Sequence, residues 1–259
     1  MHNAAFAALG LDDWSYELLP IPPDIVRQGL RTLRDEGGFI GVNVTVPLKQ
    51  AVMPYIKPDD RARAVGAVNT INFRDNTGTN TDVAGFLGDL EANGVTVPGR
   101  RVIVLGAGGA ARAAVYGLAR AGARVTVVNR TPEKARLMLA DLALSAGIQG
   151  VEAKTLDEAL EQDGVSLIVN CTSVGMWPHV DDSPWISGLP FPRGVTVYDM
   201  VYRPAMTRLM RQAEAAGGSV IGGLGMLVRQ GAAAFEIWTG QPAPVEVMFE
   251  AARMEIRKG

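Results

Sequence analysis

The feature that most constrains the fold is a glycine-rich turn between a predicted strand and a predicted helix. Arg101–Leu105 is a short, β-branched run of the kind that forms a buried parallel strand. The turn Gly106–Ala111 follows, and a helical pattern then runs through Arg120 to a stop at Gly122. Glycines allow the backbone to approach a pyrophosphate at a helix N-terminus, although tight turns also need glycine for steric reasons alone. The flanking strand and helix favour a dinucleotide-binding turn.

Strands and helices alternate through the middle of the chain. After the turn, further strands are predicted at Arg124–Val128, Ser166–Asn170 and Val195–Asp199. Thr131 is predicted to cap a helix that begins at Pro132. Alternation of this kind indicates an α/β fold with a doubly wound parallel sheet.

The residues before about 86 predict a smaller α/β unit. A helix over Asp82–Asn93 joins it to the larger one, and two helices follow Gly222-Gly223. In the smaller unit the predicted strands are Tyr16–Pro20, Phe39–Val46 and Ala67–Phe73, the predicted helices are Asp24–Asp35 and a stretch near Leu48–Tyr55, and the final helices are Met226–Trp238 and Val245–Arg257.

The end of the second central strand favours NADP over NAD. NAD-binding chains place an acidic residue there for the ribose 2′-hydroxyl, whereas an arginine favours a 2′-phosphate. This chain has Arg130 between Asn129 and Thr131, with Lys134 one helical turn further on. Lys134 also fits a solvated side chain, so Arg130 carries the prediction.

Composition narrows the function classes. The net charge of −2 provides no basic field for nucleic acid, and no apolar run reaches the length of a membrane span. One cysteine and two histidines point to neither a disulfide framework nor a zinc site. We therefore expect a soluble, cytoplasmic enzyme with a small-molecule substrate, without metal, nucleic acid or membrane as partners, and we leave a homodimer open.

Polar residues in the smaller unit form a second candidate site. Asn43 and Thr45 alternate with valines, so they share one face of the predicted strand, and Lys49 follows in the first turn of the next predicted helix. Each also has an ordinary structural explanation, because Asn and Thr satisfy turns and a first-turn lysine is usually solvated. Asp82, before a helix, is most often a cap.

Together these segments resemble the shikimate dehydrogenase family. The resemblance implies reversible, NADPH-dependent reduction of 3-dehydroshikimate to shikimate in chorismate and aromatic amino-acid biosynthesis. It also implies a substrate-binding domain over 1–86 and 223–259, completed by the C-terminal helices, and an NADP-binding Rossmann domain over 87–222. The segments that carry it are Met1–Phe6, Asn43–Lys49, Gly66–Thr70, Asn80–Asp82, Gly106–Gly109, Asn129–Thr131, Asn170–Met176, Tyr202–Pro204 and Gly223–Leu227 with Gln230.

The resemblance assigns roles position by position. Lys49 and Asp82 match the catalytic pair. The substrate-binding positions are Asn43, Thr45, Asn69, Tyr202 and Gln230. The cofactor positions are Gly106, Ala107, Gly108, Gly109, Ala110, Asn129, Arg130, Thr131, Lys134, Thr172, Gly223 and Met226, with Arg112 as a further helper.

The sequence departs from the family at its start and leaves two other functions open. Family members carry a strand with a Ser-x-Ser pair, which holds the substrate carboxylate, just before the segment that matches Met1-His2-Asn3. We therefore expect this chain to lack that pair and to bind substrate more weakly. The alternatives are a quinate/shikimate dehydrogenase that uses NAD or NADP, and a non-catalytic ligand-sensing relative.

Overall fold

A computed structural model describes residues 1–186 and 188–257 of the chain. Its strands are β1 (Gly41–Asn43), β2 (Lys57–Pro58), β3 (Thr70–Asn72), β4 (Thr77–Thr79), β5 (Arg101–Leu105), β6 (Arg124–Val128), β7 (Val151–Ala153), β8 (Val165–Asn170), β9 (Thr196–Asp199) and β10 (Ser219–Gly222). Its α-helices are α1 (His2–Ala8), α2 (Val26–Asp35), α3 (Asp60–Val65), α4 (Asp82–Ala92), α5 (Gly109–Arg120), α6 (Pro132–Ala146), α7 (Leu156–Leu160), α8 (Arg208–Ala215), α9 (Leu224–Thr239) and α10 (Val245–Arg257).

The larger sheet is parallel throughout and has the strand order β7-β6-β5-β8-β9-β10. The chain runs outward from β5 to β7 and then returns to place β8 on the other side of β5. This order is that of the dinucleotide-binding doubly wound fold, in which ligands bind where the strand order reverses. The predicted fold class, a doubly wound parallel sheet with a smaller α/β unit, is confirmed.

Strand β5 shows why a buried parallel strand could be predicted correctly from the sequence. Its side chains alternate between two apolar cores, with Val102 and Val104 on one face and Ile103 and Leu105 on the other. Helices α5 and α6 cover the first face, whereas α7 and α8 cover the second. A strand buried on both faces has a continuous apolar sequence, which is the pattern that predicted it.

The smaller sheet has the strand order β1-β3-β4-β2. Its strands pair antiparallel except for β2 with β4, which are parallel. Apolar side chains under the sheet pack against α2, and Ile71 of β3 is completely buried there. The sheet is built from short strands of two or three residues.

Four expectations for the smaller unit were wrong or too long. Tyr16–Pro20 forms neither strand nor helix, the strand expected over Phe39–Val46 is confined to β1, and that expected over Ala67–Phe73 is confined to β3. The helix expected near Leu48–Tyr55 is a series of turns that ends in a 3₁₀ helix, Met53–Tyr55. Proline explains much of this, because Pro20, Pro47 and Pro54 lack the N–H that a ladder or a helix interior needs.

Helices α4 and α9 pack against each other and join the two parts of the molecule. Phe86 and Leu90 of α4, with Met226 at the start of α9, belong to a core of the larger sheet. Further along α9, Val228 and Phe235 pack with α1 and α10 instead. Within the described residues, the helices fall short of the combined length and apolarity that crossing a bilayer requires.

Candidate active site

Lys49 and Asp82 form a partly enclosed ion pair. Lys49 lies in the turns after β1, and Asp82 is the first residue of α4. The Lys49 Nζ lies 2.5 Å from Asp82 Oδ2, and the two side chains are only 13% and 4% exposed. Asp82 does not cap its own helix, because Thr81 holds the N-cap position and the Asp82 carboxylate faces Lys49 and Asn69. The pair therefore places one ammonium proton donor beside one carboxylate.

The side chain of Asn69, just before β3, connects this pair to α9. Its Nδ2 lies 2.8 Å from Thr81 Oγ1, 2.9 Å from Asp82 Oδ1 and 3.1 Å from Gln230 Oε1. Its Oδ1 accepts a hydrogen bond from the backbone N–H of Thr81 at 2.8 Å. Asn69 is 2% exposed, so both ends of its amide are satisfied inside the protein. This network brings together the candidate residues Asn69, Asp82 and Gln230.

Asn43 lies at the end of β1 beside the same network. Its Nδ2 donates to Thr70 Oγ1 at 3.1 Å and to the carbonyl oxygen of Asn69 at 3.3 Å. Its Oδ1 accepts a hydrogen bond from the Tyr16 hydroxyl at 3.1 Å. Thr45, two residues further on, is exposed, and its hydroxyl has no hydrogen-bond partner among the residues that the structure describes. Thr45 is therefore available to a ligand.

Tyr16 is a residue of this site that the sequence did not indicate. Burial raises the pKa of its hydroxyl, and Tyr202 acts in the same direction. The candidate Tyr202, which follows β9 and is 40% exposed, is close enough to Tyr16 to act on that pKa. Tyr16 lies in a stretch expected to be a strand, and its only signal was an isolated tyrosine between polar residues.

The glycine-rich turn leaves its backbone accessible at the start of α5. Gly106 adopts a φ of +110°, a region that favours glycine, and a β-carbon there would contact Thr172. Gly108 is exposed, and a β-carbon on it would meet nothing within 4 Å. Ala107 and Ala110 complete the turn into α5, whose first N–H groups have no partner within the helix. These residues fit a pyrophosphate at the start of α5.

Lys49 reaches this turn from the smaller unit. A β-carbon on Gly109, the first residue of α5, would lie 3.1 Å from Lys49 Cβ and 3.2 Å from Lys49 Cδ. The stem of the lysine therefore packs directly on the first residue of α5. The turn and the ion pair consequently belong to one site.

The residues expected near the adenosine end lie after β6. Arg130, Thr131 and Lys134 are all exposed, and Arg130 has no ion-pair partner within the described residues. Thr131 stands at the N-cap of α6 but makes no capping hydrogen bond with its side chain, contrary to expectation. Asn129 supports the segment instead, because its Nδ2 donates to the carbonyl oxygen of Thr131 at 2.8 Å. These side chains do not contact the Lys49–Asp82 pair.

Thr172 is held by a buried polar chain behind β8. Asn170 Oδ1 accepts hydrogen bonds from the backbone N–H of Thr172 at 3.0 Å and from its hydroxyl at 2.7 Å. Asn170 in turn donates to Asp199 Oδ1 at 2.9 Å. Burial raises the pKa of Asp199, while hydrogen bonds from Thr207, Val201 and Asn170 act in the opposite direction. Burial also raises the pKa of the neighbouring Cys171 thiol, which is therefore a poor nucleophile.

The remaining cofactor candidates divide into two groups. Gly223 is the N-cap of α9, where a β-carbon would collide with the carbonyl oxygen of Met200, and Met226 is buried one turn later. Both belong to the helix that carries Gln230. Arg112 is different, because its guanidinium is buried and bonds to Val65 and Asp141 rather than facing the glycine-rich turn.

Comparison with curated proteins places this site in a family. Over an alignment of 270 residues, the chain is 44% identical to a protein from Methanothermobacter thermautotrophicus named shikimate dehydrogenase (NADP(+)). That alignment covers 100% of this chain and 92% of the relative. The chain belongs to the shikimate dehydrogenase family.

Matches to family models follow the chain in the order expected of a shikimate dehydrogenase. Residues 1–71 match a shikimate dehydrogenase substrate binding domain, and residues 91–174 match a shikimate / quinate 5-dehydrogenase. Residues 223–253 match a shikimate 5'-dehydrogenase C-terminal domain. The resemblance inferred from the sequence motifs is therefore confirmed.

Solved structures of the shikimate dehydrogenase family have the same fold. The Thermus thermophilus shikimate 5-dehydrogenase, in complex with NADP(H) and shikimate, is 39% identical with a TM-score of 0.85. That match covers 98% of this chain and 92% of the Thermus chain. A quinate dehydrogenase from Corynebacterium glutamicum in complex with NAD is 27% identical, with a TM-score of 0.81 over 98% of this chain and 92% of its own.

Proposed function

We propose that this chain reduces 3-dehydroshikimate to shikimate with NADPH, reversibly, as a step towards chorismate and the aromatic amino acids. The observation that carries the proposal is the Lys49–Asp82 pair. Lys49 Nζ lies 2.5 Å from Asp82 Oδ2, and the lysine stem packs on Gly109, the first residue of α5. A proton donor therefore stands where a dinucleotide and a carbonyl substrate would meet. Relatives named for this NADP-dependent activity support the assignment.

We assign the two parts of the chain as separate functional units. Residues 1–86 and 223–259 form the substrate-binding unit, and residues 87–222 form the cofactor unit. The separate cores of the two sheets and the return of α9 to the smaller unit support this division. Positions 258 and 259 of the proposed unit lie outside the described residues.

The cofactor residues divide the NADP molecule between them. The turn from Gly106 to Ala110 would hold the pyrophosphate, with Thr172 on the opposite side of Gly106. Arg130 would pair with the 2′-phosphate, aided by Lys134 and by Asn129 and Thr131 around it. Gly223 and Met226 would line the nicotinamide end. When bound, NADPH supplies the hydride that reduces the C3 carbonyl carbon.

Lys49 supplies the proton that this reduction needs. Negative charge develops on the carbonyl oxygen, and a donor within hydrogen-bond reach lowers the energy of that charge. The Lys49 ammonium donates a proton to the oxygen, and in the oxidation direction the lysine amine accepts it back. Asp82 holds the ammonium in place through Oδ2, while Asn69 holds Asp82 through Oδ1.

The polar network explains recognition of a polyhydroxylated ring. Amides and hydroxyls both donate and accept hydrogen bonds, as ring hydroxyls do. Asn69 and Gln230 present their amides beside the ion pair, whereas Asn43, Thr45 and Tyr202 lie at the more exposed edge of the site. These side chains would orient the C3 carbonyl towards Lys49.

Quinate is the second candidate substrate. The central match to a shikimate / quinate 5-dehydrogenase and the similarity to a quinate dehydrogenase in complex with NAD favour this possibility. Arg130 favours NADP, so we expect any quinate oxidation to be NADP-linked. A ligand-sensing role would leave the Lys49–Asp82 pair without a purpose.

We also propose a cytoplasmic location, where NADPH is regenerated. The homodimer stays a prediction.

A direct assay tests the proposal. NADPH absorbance is followed with 3-dehydroshikimate, and the reverse reaction is followed with shikimate or quinate plus NADP or NAD. Lys49→Ala should lower kcat by about 10²–10⁴-fold, the usual contribution of a positioned proton donor. Lys49→Arg should fail as well, because guanidinium does not release a proton near neutral pH.

The exposed Lys57 provides the matched control. Lys57→Ala removes a lysine from the same unit and should leave kcat unchanged. Turnover near normal in either Lys49 variant would refute the catalytic assignment. Absence of wild-type turnover with 3-dehydroshikimate, combined with tight shikimate binding, would support the ligand-sensing alternative.

A further inference from the structure

The C-terminal end of α3, in the smaller unit, is capped by side chains from the cofactor unit. The last carbonyl groups of a helix have no partner within the helix and need one elsewhere. Arg112 Nη1 of α5 donates to the carbonyl oxygen of Val65 at 3.3 Å. Ser145 Oγ of α6 donates to the carbonyl oxygen of Ala64 at 2.8 Å. Two helices of the larger unit therefore satisfy the end of α3.

The guanidinium of Arg112 is buried between α3 and α6. Its side chain is 7% exposed, and Nη2 lies 2.5 Å from Asp141 Oδ2 on α6. Gly66, the C-cap of α3, has a φ of +69°, and a β-carbon there would lie 2.7 Å from Arg112 Nη1. A cation is favourable at the C-terminal end of a helix, where the carbonyl dipoles converge. The guanidinium therefore links the end of α3 to Asp141 of α6.

Arg112 contacts the end of α3 close to Asn69 and itself lies three residues after Gly109. On the α3 side, Gly66 leads to Asn69, and the intervening Val68 donates its backbone N–H to the carbonyl oxygen of Lys49 at 2.8 Å. On the α5 side, Arg112 follows Gly109, on which the Lys49 stem packs. Arg112 therefore connects the segment that carries Asn69 to the helix on which the Lys49 stem packs.

We propose that Arg112 is a positioning residue, which sets the distance between the Lys49–Asp82–Asn69 network and the cofactor turn. The inference rests on the proposed function, because that distance matters only if a hydride passes between the two units. Misplacement of reacting atoms by about 1 Å can cost about 100-fold in rate. Arg112 would act through α3 and Asn69, without touching substrate or cofactor.

The test compares Arg112→Met with Arg120→Met. Both replace an arginine of α5, but Arg120 is exposed and outside the contact with α3. Arg112→Met should lower kcat by about 10–100-fold, while the NADPH Kd, measured by fluorescence of the bound nucleotide, and the KM for 3-dehydroshikimate change by less than about threefold. Amide hydrogen exchange over residues 64–69 of the ligand-free protein should quicken, without a change in the turn at 106–109. Arg120→Met should alter none of these quantities.

Milder variants cover the case in which Arg112→Met does not fold. Ser145→Ala removes one capping hydrogen bond from an exposed hydroxyl, and Arg112→Lys keeps the charge but cannot reach both Val65 and Asp141. Both should quicken exchange over 64–69, with a smaller loss of kcat than Arg112→Met. The exchange measurement does not depend on the substrate, so it separates failure of this proposal from failure of the proposed function.

Two results would overturn the proposal. Quickened exchange with unchanged kcat would mean that Arg112 stabilises α3 without affecting the reaction. A rise in NADPH Kd that matches the loss of kcat would mean that Arg112 serves the cofactor site directly. A fall in kcat with Kd and KM preserved, accompanied by faster exchange at 64–69, would support the positioning role.

Discussion

At the scale of single residues, the side-chain NH2 group of Asn69 has more hydrogen-bond acceptors within reach than hydrogens to donate. Its Nδ2 carries two hydrogens but lies within 3.1 Å of three acceptors, on Thr81, Asp82 and Gln230. Gln230 Oε1 is the most distant of the three, so it is the acceptor most easily released. Under the proposed function, a substrate hydroxyl would donate to Gln230 Oε1 and leave the Asn69–Asp82 contact in place.

His2 is the residue whose titration should affect stability most clearly. Its ring is 3% exposed and stacks on the Tyr16 ring, with the ring centroids 4.3 Å apart. Burial lowers its pKa from 6.5 to about 4; the N-terminal ammonium acts in the same direction and the Asn43 side chain in the opposite one. The folded protein therefore resists protonation that the unfolded chain accepts.

The sign of the pH effect follows from this lowered pKa. Above pH 6.5 His2 is neutral in both states, and stability is lost as the pH falls from about 6.5 towards about 4. The free energy of unfolding should fall by up to about 1.4 kcal/mol per pH unit from this group. His2→Phe keeps an aromatic ring and should flatten the slope, measured by urea unfolding between these pH values. Replacement of the exposed His179 by Gln should leave the slope unchanged, and an equal slope in all three proteins would contradict the assignment.

At the scale of elements, the sequence predicted the larger unit better than the smaller one. Buried parallel strands such as β5 and β8 have continuous apolar sequences, so periodicity alone located them. Strands β2, β4 and β7 contain two or three residues, too few for any period, and they were missed, as was the edge strand β10. The Asn69–Gln230 contact joins residues 161 positions apart, so no local pattern could reveal it. Family motifs named most of the site residues, whereas only the structure showed which of them touch.

The packing of α4 on α9 gives a prediction about two glycines. A β-carbon on Gly225 of α9 would collide with Oδ1 of the buried Asp89, which also accepts a hydrogen bond from Tyr198 at 2.7 Å. Gly225→Ala should therefore push the two helices apart and lower the free energy of unfolding by about 1–3 kcal/mol. On Gly88 of α4 a β-carbon would meet only Arg229 Cδ at 3.7 Å. Gly88→Ala should stabilise the protein by roughly 0.5–1 kcal/mol, because alanine favours the helix.

Denaturant unfolding of both variants decides the matter. Opposite signs for the two glycines are expected. Two stabilising substitutions would mean that α4 and α9 separate freely, and the account of their close contact would then be wrong.

At the scale of the whole molecule, cofactor binding should be visible as stability. A ligand that binds only the folded state at 100 times its Kd adds about 2.7 kcal/mol to the free energy of unfolding. Wild-type protein should gain this amount from NADPH and much less from NADH at the same concentration. Arg130→Asp should lose about 1.4–2.4 kcal/mol of the NADPH gain, because a charge-assisted contact becomes repulsion, and should keep any gain from NADH.

Urea midpoints with and without each nucleotide measure these gains. Arg120→Asp alters an exposed arginine at the C-terminal end of α5, away from the glycine-rich turn, and should preserve the NADPH gain. Equal losses with both nucleotides in Arg130→Asp would show that Arg130 supports the fold rather than selecting the cofactor.

The packing of Lys49 on Gly109 limits how this chain can be recombined with others. A β-carbon at position 109 would lie 3.1 Å from Lys49 Cβ, so a residue larger than glycine there requires the lysine stem to shift by a few tenths of an ångström. A chimera with a foreign cofactor module that has a larger residue there would displace the lysine while still binding its dinucleotide. Exchange of the two modules therefore requires that the residue at position 109 leave room for the Lys49 stem. Neither module's own sequence reveals that requirement.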